Sequence, residues 1–378
     1  MMPKVRCKRE ICVIVTKKCP HLMPKKLNDV RKKIITLVIC SCLTWTLFGQ
    51  DVNYTQFYNA PFQINPALTG VFQGDVRLMA NYREQWTSVP VEFRTATMAA
   101  DMKLPSADGK SFFALGTAIN HDQAGFANLR QTGVNVLGSY TRKLGYRFFA
   151  TAGVQLGGNY RAFDVSGISF GEQYDPRAGQ FNPGRDNGEQ FGNEENWFMS
   201  VGTGLNLRYQ TQENREMIAR LEKRTKIDVG IGFHHLNRPD QAFVGGRKAQ
   251  LPLRLSPYAS ATIQVGSNFD VLGHFLGQFQ GDSQQFLYGV SGKLHLNRDP
   301  GKQLAILLGG TMRTGENNIG AWSPVFELHY NSLRVGFSYD VNVSSFNVAT
   351  DRRQGPEFSI RWMIRKVPIV ESKTCPLI

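Results

Sequence analysis

The side chains best suited to chemistry are few and scattered. His234-His235 with Asp240 is the one adjacent histidine pair, and such a pair near a carboxylate invites a metal or proton-transfer role. On a strand, neighbouring side chains point to opposite faces, so the two imidazoles cannot jointly hold one ion in regular geometry. A serine hydrolase needs its nucleophile, histidine and orienting group on one face. Ser256, His274 and His295 fall in different segments with no spacing that joins them, so no triad is read. Residues 175–186, from Asp175 to Asp186, with Glu189, Glu194 and Glu195, form an acidic loop of the oxygen type that calcium takes, but without EF-hand order. Gly202-Thr203-Gly204 lies inside a strand pattern, not between strand and helix, so it is no phosphate loop. No catalytic, cofactor or metal site is assigned, and the chain reads as a non-enzyme.

A second set of charges is patterned. Arg83, Arg94, Arg161, Arg208, Arg313, Arg334 and Arg361, with Glu92, Glu327 and Asp340, fall on the polar phase of alternating segments. Inside a barrel such charges fix the shape or fill the lumen; a selectivity ring is the sharper alternative.

The elements that would position them alternate with a period of two. In the segment from Tyr146, Phe148, Ala150, Ala152, Val154, Leu156 and Tyr160 oppose Thr151, Gly153, Gln155, Gly157 and Asn159. The same alternation recurs at 197–209, 331–342 and 357–365. Fourteen such segments are read, at about 74–86, 91–103, 111–121, 129–142, 146–160, 197–209, 225–236, 251–264, 268–280, 283–296, 302–313, 318–329, 331–342 and 356–366. Their length suits a tilted strand crossing a bilayer, aromatics sit near the ends of the apolar face, and the other face is rich in Gly, Ser, Thr, Asn, Gln and Arg. A backbone in hydrocarbon must satisfy every N–H and C=O, which a closed barrel does without edges. The expected fold is therefore all-β: a transmembrane antiparallel outer-membrane β-barrel of about 14 strands. Connections after alternate strands are short (144–145, 266–267, 297–301, 331), as periplasmic turns should be, and the others are long (161–196, 237–250, 343–355). Residues 210–224 (QTQENREMIARLEKR) break that rule: a charged, helix-favouring stretch on the short side.

Charge and cysteine totals belong mostly to the first 49 residues. The chain has 44 Lys and Arg against 30 Asp and Glu, but eleven of the former and two of the latter lie before Gln50. The rest carries 33 against 28, a net of +5 where the whole has +14, which removes the main support for a nucleic-acid partner. Five of the six cysteines lie there too, leaving Cys375 and excluding a disulfide framework or a Cys-based zinc site in the body. Lys25, Lys26, Arg31, Lys32 and Lys33 followed by apolar 34–48 read as a cleaved signal peptide, and Met23 opens a more ordinary one than Met1. The expected division is a leader at 1–49, an N-terminal periplasmic segment at 50–73, the barrel at 74–366 and a tail at 367–378.

Several motifs, in order, resemble one family. They are Tyr54, Gln56, Phe57 and Tyr58; Asn65-Pro66-Ala67 and Gly70; Tyr82-Arg83 with Gln85-Trp86; Gly232 to Phe243 with Leu251-Pro252-Leu253-Arg254; Ser338 to Ser344; Gly355-Pro356-Glu357-Phe358; and Cys375-Pro376. Together they are similar to the PorP/SprF proteins, outer-membrane barrels of the type IX secretion and gliding machinery. The resemblance implies a non-enzymatic anchor without cofactor. Its implied partners are periplasmic ring lipoproteins and an OmpA-like peptidoglycan-binding protein, or one large secreted adhesin, alongside outer-membrane lipid. No catalytic or ligand residues come with it. Asn65, Pro66, Gly70, Arg83, Trp86, His235, Asn237 and Pro239 are signature positions of expected structural role, with Pro66 and Gly70 shaping a turn before the first strand and Trp86 at an interface. The alternative expectation is a porin or small-solute transporter, and a less favoured one an outer-membrane lipase.

Overall fold

Period-two sequences become one closed sheet. The computed structural model describes residues 51, 53–87, 93–105, 110–164, 169–186, 194–211, 224–243, 248–299, 301–315, 319–344 and 351–365. The expected leader and tail, most of the charged stretch at 210–224, and Glu92, Glu189 and Cys375 lie outside them. Strands β1 (Val76–Gln85), β2 (Phe93–Pro105), β3 (Ser111–Ala124), β4 (Leu129–Lys143) and β5 (Phe148–Ala162) run up and down in succession. The two-residue strands β6 (Tyr174–Asp175) and β7 (Gln180–Phe181) form a separate small hairpin in the next connection. The wall resumes with β8 (Glu195–Gln210), β9 (Lys226–His234), β10 (Arg254–Gln264), β11 (Phe269–Gln280) and β12 (Ser283–Asn297). It ends with β13 (Leu304–Thr314), β14 (Ile319–Tyr330), β15 (Leu333–Asn342) and β16 (Arg353–Ile364), and β16 pairs with β1 to close it.

All fourteen expected strands are the fourteen of this antiparallel barrel. Closure leaves no strand edge unpaired, which is what a bilayer demands of a sheet. On β14 the exposed Trp322, Phe326 and Leu328 alternate with the buried Ser323, Val325, Glu327 and His329. The pattern repeats around the wall: large apolar side chains outward, polar ones inward, the inverse of a soluble barrel. Aromatic pairs mark both ends, Phe148 with Tyr209 at 5.3 Å between ring centres and Tyr160 with Trp197 at 4.7 Å. Among the described residues no helix is long and apolar enough to cross a membrane; the strands do it instead.

The two rims differ. At one, β4–β5, β10–β11, β12–β13 and β14–β15 are joined by turns of a few residues; at the other lie the long connections after β5, β9 and β15. Residues 51 and 53–73 correct the sequence reading. Expected as a periplasmic segment ahead of the barrel, they lie inside it, with Thr55, Gln56, Asn65, Ala67 and Thr69 essentially inaccessible. The physical reason is that this segment's apolar side chains have no other core to join. Phe57, Ile64, Leu68 and Val71 pack against Tyr258, Leu276 and Leu287 of the wall, while Phe62 meets Met79, Ala118 and Leu137. Burying each large apolar side chain is worth about 1.5–3 kcal/mol.

Candidate functional site

The plugged lumen is the site, and it is built from short turns. Asn65 stands in extended backbone, and its side-chain oxygen accepts the Ala67 amide at 2.8 Å, capping the 3₁₀ turn Pro66–Leu68. Pro66 opens that turn, where its missing N–H costs nothing. The Asn65 amide nitrogen donates to the Leu205 carbonyl at 2.8 Å, tying the turn to β8. Before it, the one-turn helix α1 (Pro61–Ile64) presents Phe62 and Ile64 to the wall. Gly70 follows with φ +74°, and a Cβ there would fall 2.4 Å from that of Ala114.

The wall is cut to receive this turn. Gly153, Gly204 and Gly232 are cross-strand partners on β5, β8 and β9, forming one row without side chains. A Cβ on Gly153 would lie 2.5 Å from the Ala67 nitrogen, on Gly204 1.8 Å from the Asn65 oxygen, and on Gly232 2.2 Å from the Ile64 carbonyl. These approaches are shorter than any carbon can make, so the groove exists only because the row is glycine. Of residues 202–204, Gly204 thus does have a binding role, toward the chain itself.

Charges clamp the start of the plug. Arg83, 2% exposed, pairs with Asp340 at 2.6 Å and Glu357 at 3.6 Å, and it donates to the Asn53 carbonyl. The Thr55 and Gln56 amides each donate to Glu357 at 2.7 Å, and the Thr55 hydroxyl donates to Asp340 at 2.7 Å. Arg313 adds a bond to Thr55 Oγ1 and a 3.3 Å pair with Asp340. Lower down, Asn59 donates to Glu327 at 2.9 Å, and Arg77, paired with Asp101, donates to the Leu68 carbonyl. Buried charges persist only when paired and hydrogen-bonded, and here the plug backbone completes the pairing. Arg161 instead bonds Gln241 and faces the Phe243 ring. Arg94 does not belong to the lumen as expected: it is half-exposed on the outer face, 3.8 Å from Glu84, because inward positions on β2 fall on Thr95 and Thr97.

The histidine pair also departs from the sequence argument. His235 leaves the strand with φ +59°, so both rings reach the plug instead of opposite faces. His234 Nε2 lies 3.2 Å from the Ile64 carbonyl, while His235 bonds Asp51 and Ser200 at 2.7 Å each. Arg254 grips Asp51 at 2.9 Å and donates to the Gln63 carbonyl. Burial alone would raise the Asp51 carboxyl, but Arg254, with His235 and His234, outweighs it and holds it well below the usual carboxylate range. Asn237 brackets β8, accepting the Val201 amide and donating to the Met199 carbonyl, and the Pro239 carbonyl accepts the Leu251 amide. Trp86, with φ 56°, ends β1 edge-on to Phe93.

Other candidates are dispersed. His274 bonds Ser260 and His295 bonds Asp270; neither bonds Ser256. Asp175 accepts the Arg177 and Ala178 amides, which also lower its pKa, so it shapes a turn. Among the described residues no three His, Cys, Asp or Glu side chains are grouped as metal ligands.

Fold and site together define a transmembrane β-barrel whose lumen is filled by its own N-terminal segment. Residues 46–358 match the model of the type IX secretion system membrane protein PorP/SprF family, and the chain belongs to that family. No curated protein matches the chain. Among solved structures, the toluene transporter TbuX of Ralstonia pickettii is similar with 12% identity and a TM-score of 0.45, over 81% of this chain and 94% of that one. A FadL homologue from Pseudomonas aeruginosa is 11% identical with a TM-score of 0.41, over 79% and 91%. CdiB from Escherichia coli is 10% identical with a TM-score of 0.43, over 76% and 63%.

Proposed function

We propose that the protein is a non-enzymatic outer-membrane anchor of the type IX secretion machinery, exported by a cleaved signal peptide. The short-turn rim faces the periplasm, as in barrels whose external loops are the long ones. There it holds ring lipoproteins and an OmpA-like peptidoglycan-binding protein, or supports export of a large surface adhesin. The observation that carries this reading is the lumen itself. A diffusion pore needs a hydrated path, and here residues 53–73 are packed on the wall and clamped by Arg83, Arg77 and Arg254. The test is a pull-down of the tagged mature protein from crosslinked outer membranes, with mass spectrometry, beside planar-bilayer recording. Recovery of ring lipoproteins, the OmpA-like binder or an adhesin, with a silent bilayer, supports the anchor. A barrel that comes down alone and conducts ions is a porin, and the proposal falls.

A further inference from the structure

Below the plug, toward the short-turn rim, the lumen keeps a cavity of about 230 Å³, roofed by Phe57, Tyr58 and Ile64. Its walls carry three carboxylates, and all are engaged. Asp228 is held by Arg208 at 2.8 Å, Asp270 by Arg224 and His295 at 2.8 and 2.7 Å, and Glu327 by His329 at 2.6 Å. Beyond Arg77, which pairs with Asp101, and Arg365, four further cations line the same space: Lys226, Lys293, Arg334 and Arg361. Among the described residues none of these four makes an ion pair or a side-chain hydrogen bond. The Nε of Arg361 is also buried without a hydrogen-bond partner.

Like charges gathered around one cavity repel one another, and the three carboxylates on its wall are already engaged by other partners. A bound anion removes that repulsion. The cations come from four strands: Arg334 and Arg361 are direct cross-strand partners on β15 and β16, and Lys226 on β9 and Lys293 on β12 line the same cavity from other parts of the wall. Arginine forks and lysine points of charge around a small volume suit tetrahedral oxyanions bearing several negative charges.

We infer that this cavity is a binding site for a phosphate-class oxyanion, held by Lys226, Lys293, Arg334 and Arg361. The phosphate comes either from a free phosphorylated solute or from a lipid headgroup entering at the rim. The inference stands apart from the anchoring role: a barrel that recovers no partners can still bind phosphate.

The experiment uses the full mature barrel, purified in a non-phosphate detergent at low salt. Inorganic pyrophosphate is titrated by calorimetry, and native mass spectrometry reads any phospholipid that co-purifies. Free anion binding appears as a saturable isotherm weakened by added salt; lipid binding appears as a retained phospholipid mass. Either is expected to weaken at least about tenfold in the double variant R334Q/R361Q, from the loss of two charged hydrogen-bonding partners. K226Q and K293Q, tested singly, guard against a double variant that does not fold, and R94Q on the outer face serves as the unaffected control. Absence of both signals overturns the inference, as does binding that R334Q/R361Q, K226Q and K293Q leave unchanged.

Discussion

Substituting Gly204 by valine tests the plugged lumen most directly. The wall at this point is held on both sides by strand pairing, so the introduced side chain displaces the plug and not the strand. Its Cβ would fall 1.8 Å from the Asn65 oxygen and 2.7 Å from the carbon bearing it. Asn65 must therefore leave its bonds to the Ala67 amide and the Leu205 carbonyl, both 2.8 Å. Asn65 is fully buried, and stranding each polar group costs about 1–3 kcal/mol, so the plug loses about 2–6 kcal/mol of seating. That raises the unseated fraction about 30-fold at the lower figure and about 10⁴-fold at the upper. The readout is a Thr69→Cys reporter, nearly isosteric and inaccessible in the parent, in the mature chain from residue 50 with Cys375 replaced by serine. Maleimide labelling and planar-bilayer conductance are both expected to rise in G204V. Gly273→Val, where a Cβ meets nothing within 4 Å, should change neither. If G204V keeps the reporter unreactive and the bilayer silent, the glycine groove does not seat the plug.

Other outcomes follow from the same contacts. Arg83→Met leaves Asp340 and Glu357 short of a buried partner and should cost about 3–5 kcal/mol, visible as a lower temperature for the folded-to-unfolded gel shift of the barrel. Met98→Arg, on the outward face of β2, should cost about 2–4 kcal/mol in lipid vesicles by urea titration, more than the same change at the rim. Asp51 has a folded pKa depressed below its unfolded value, so its contribution to docking is present above about pH 4 and lost as pH falls further. Proteolysis of the N-terminal end should therefore be flat from pH 7 to about pH 5 and rise only in stronger acid, and D51N should abolish that rise.

The barrel was legible because a bilayer imposes a strict period of two on every strand, and one phase break would put a charge in lipid. Strand ends moved by a few residues, as at β16, which begins with Arg353 where the pattern starts at 356. The plug was not legible, because a segment buried on all sides shows no period. Residues 53–73 mix Asn, Gln and Thr with Phe and Ile, which reads as loop until the partners that satisfy them are known. The signal lay on the other side of the contact. Gly153, Gly204 and Gly232 share one phase on three strands, and a lumen that needed only polarity would not hold all three as glycine. His235 misled for a local reason: one positive φ at a strand end cancels the face rule that holds inside the strand.

The plug also dictates an order of events. Thr55 and Gln56 bond Glu357, partners some three hundred residues away along the chain. Under the proposed export the N-terminal end is delivered first, so the plug residues wait for the last strand before their amides are satisfied. Gly74 leads straight from the plug to β1, the strand that closes the seam with β16. Contacts this distant in sequence make for slow folding and long exposure of sticky intermediates. A holding factor for the nascent N-terminal end, released when β16 arrives, would shorten that vulnerable interval more than any change to the finished barrel.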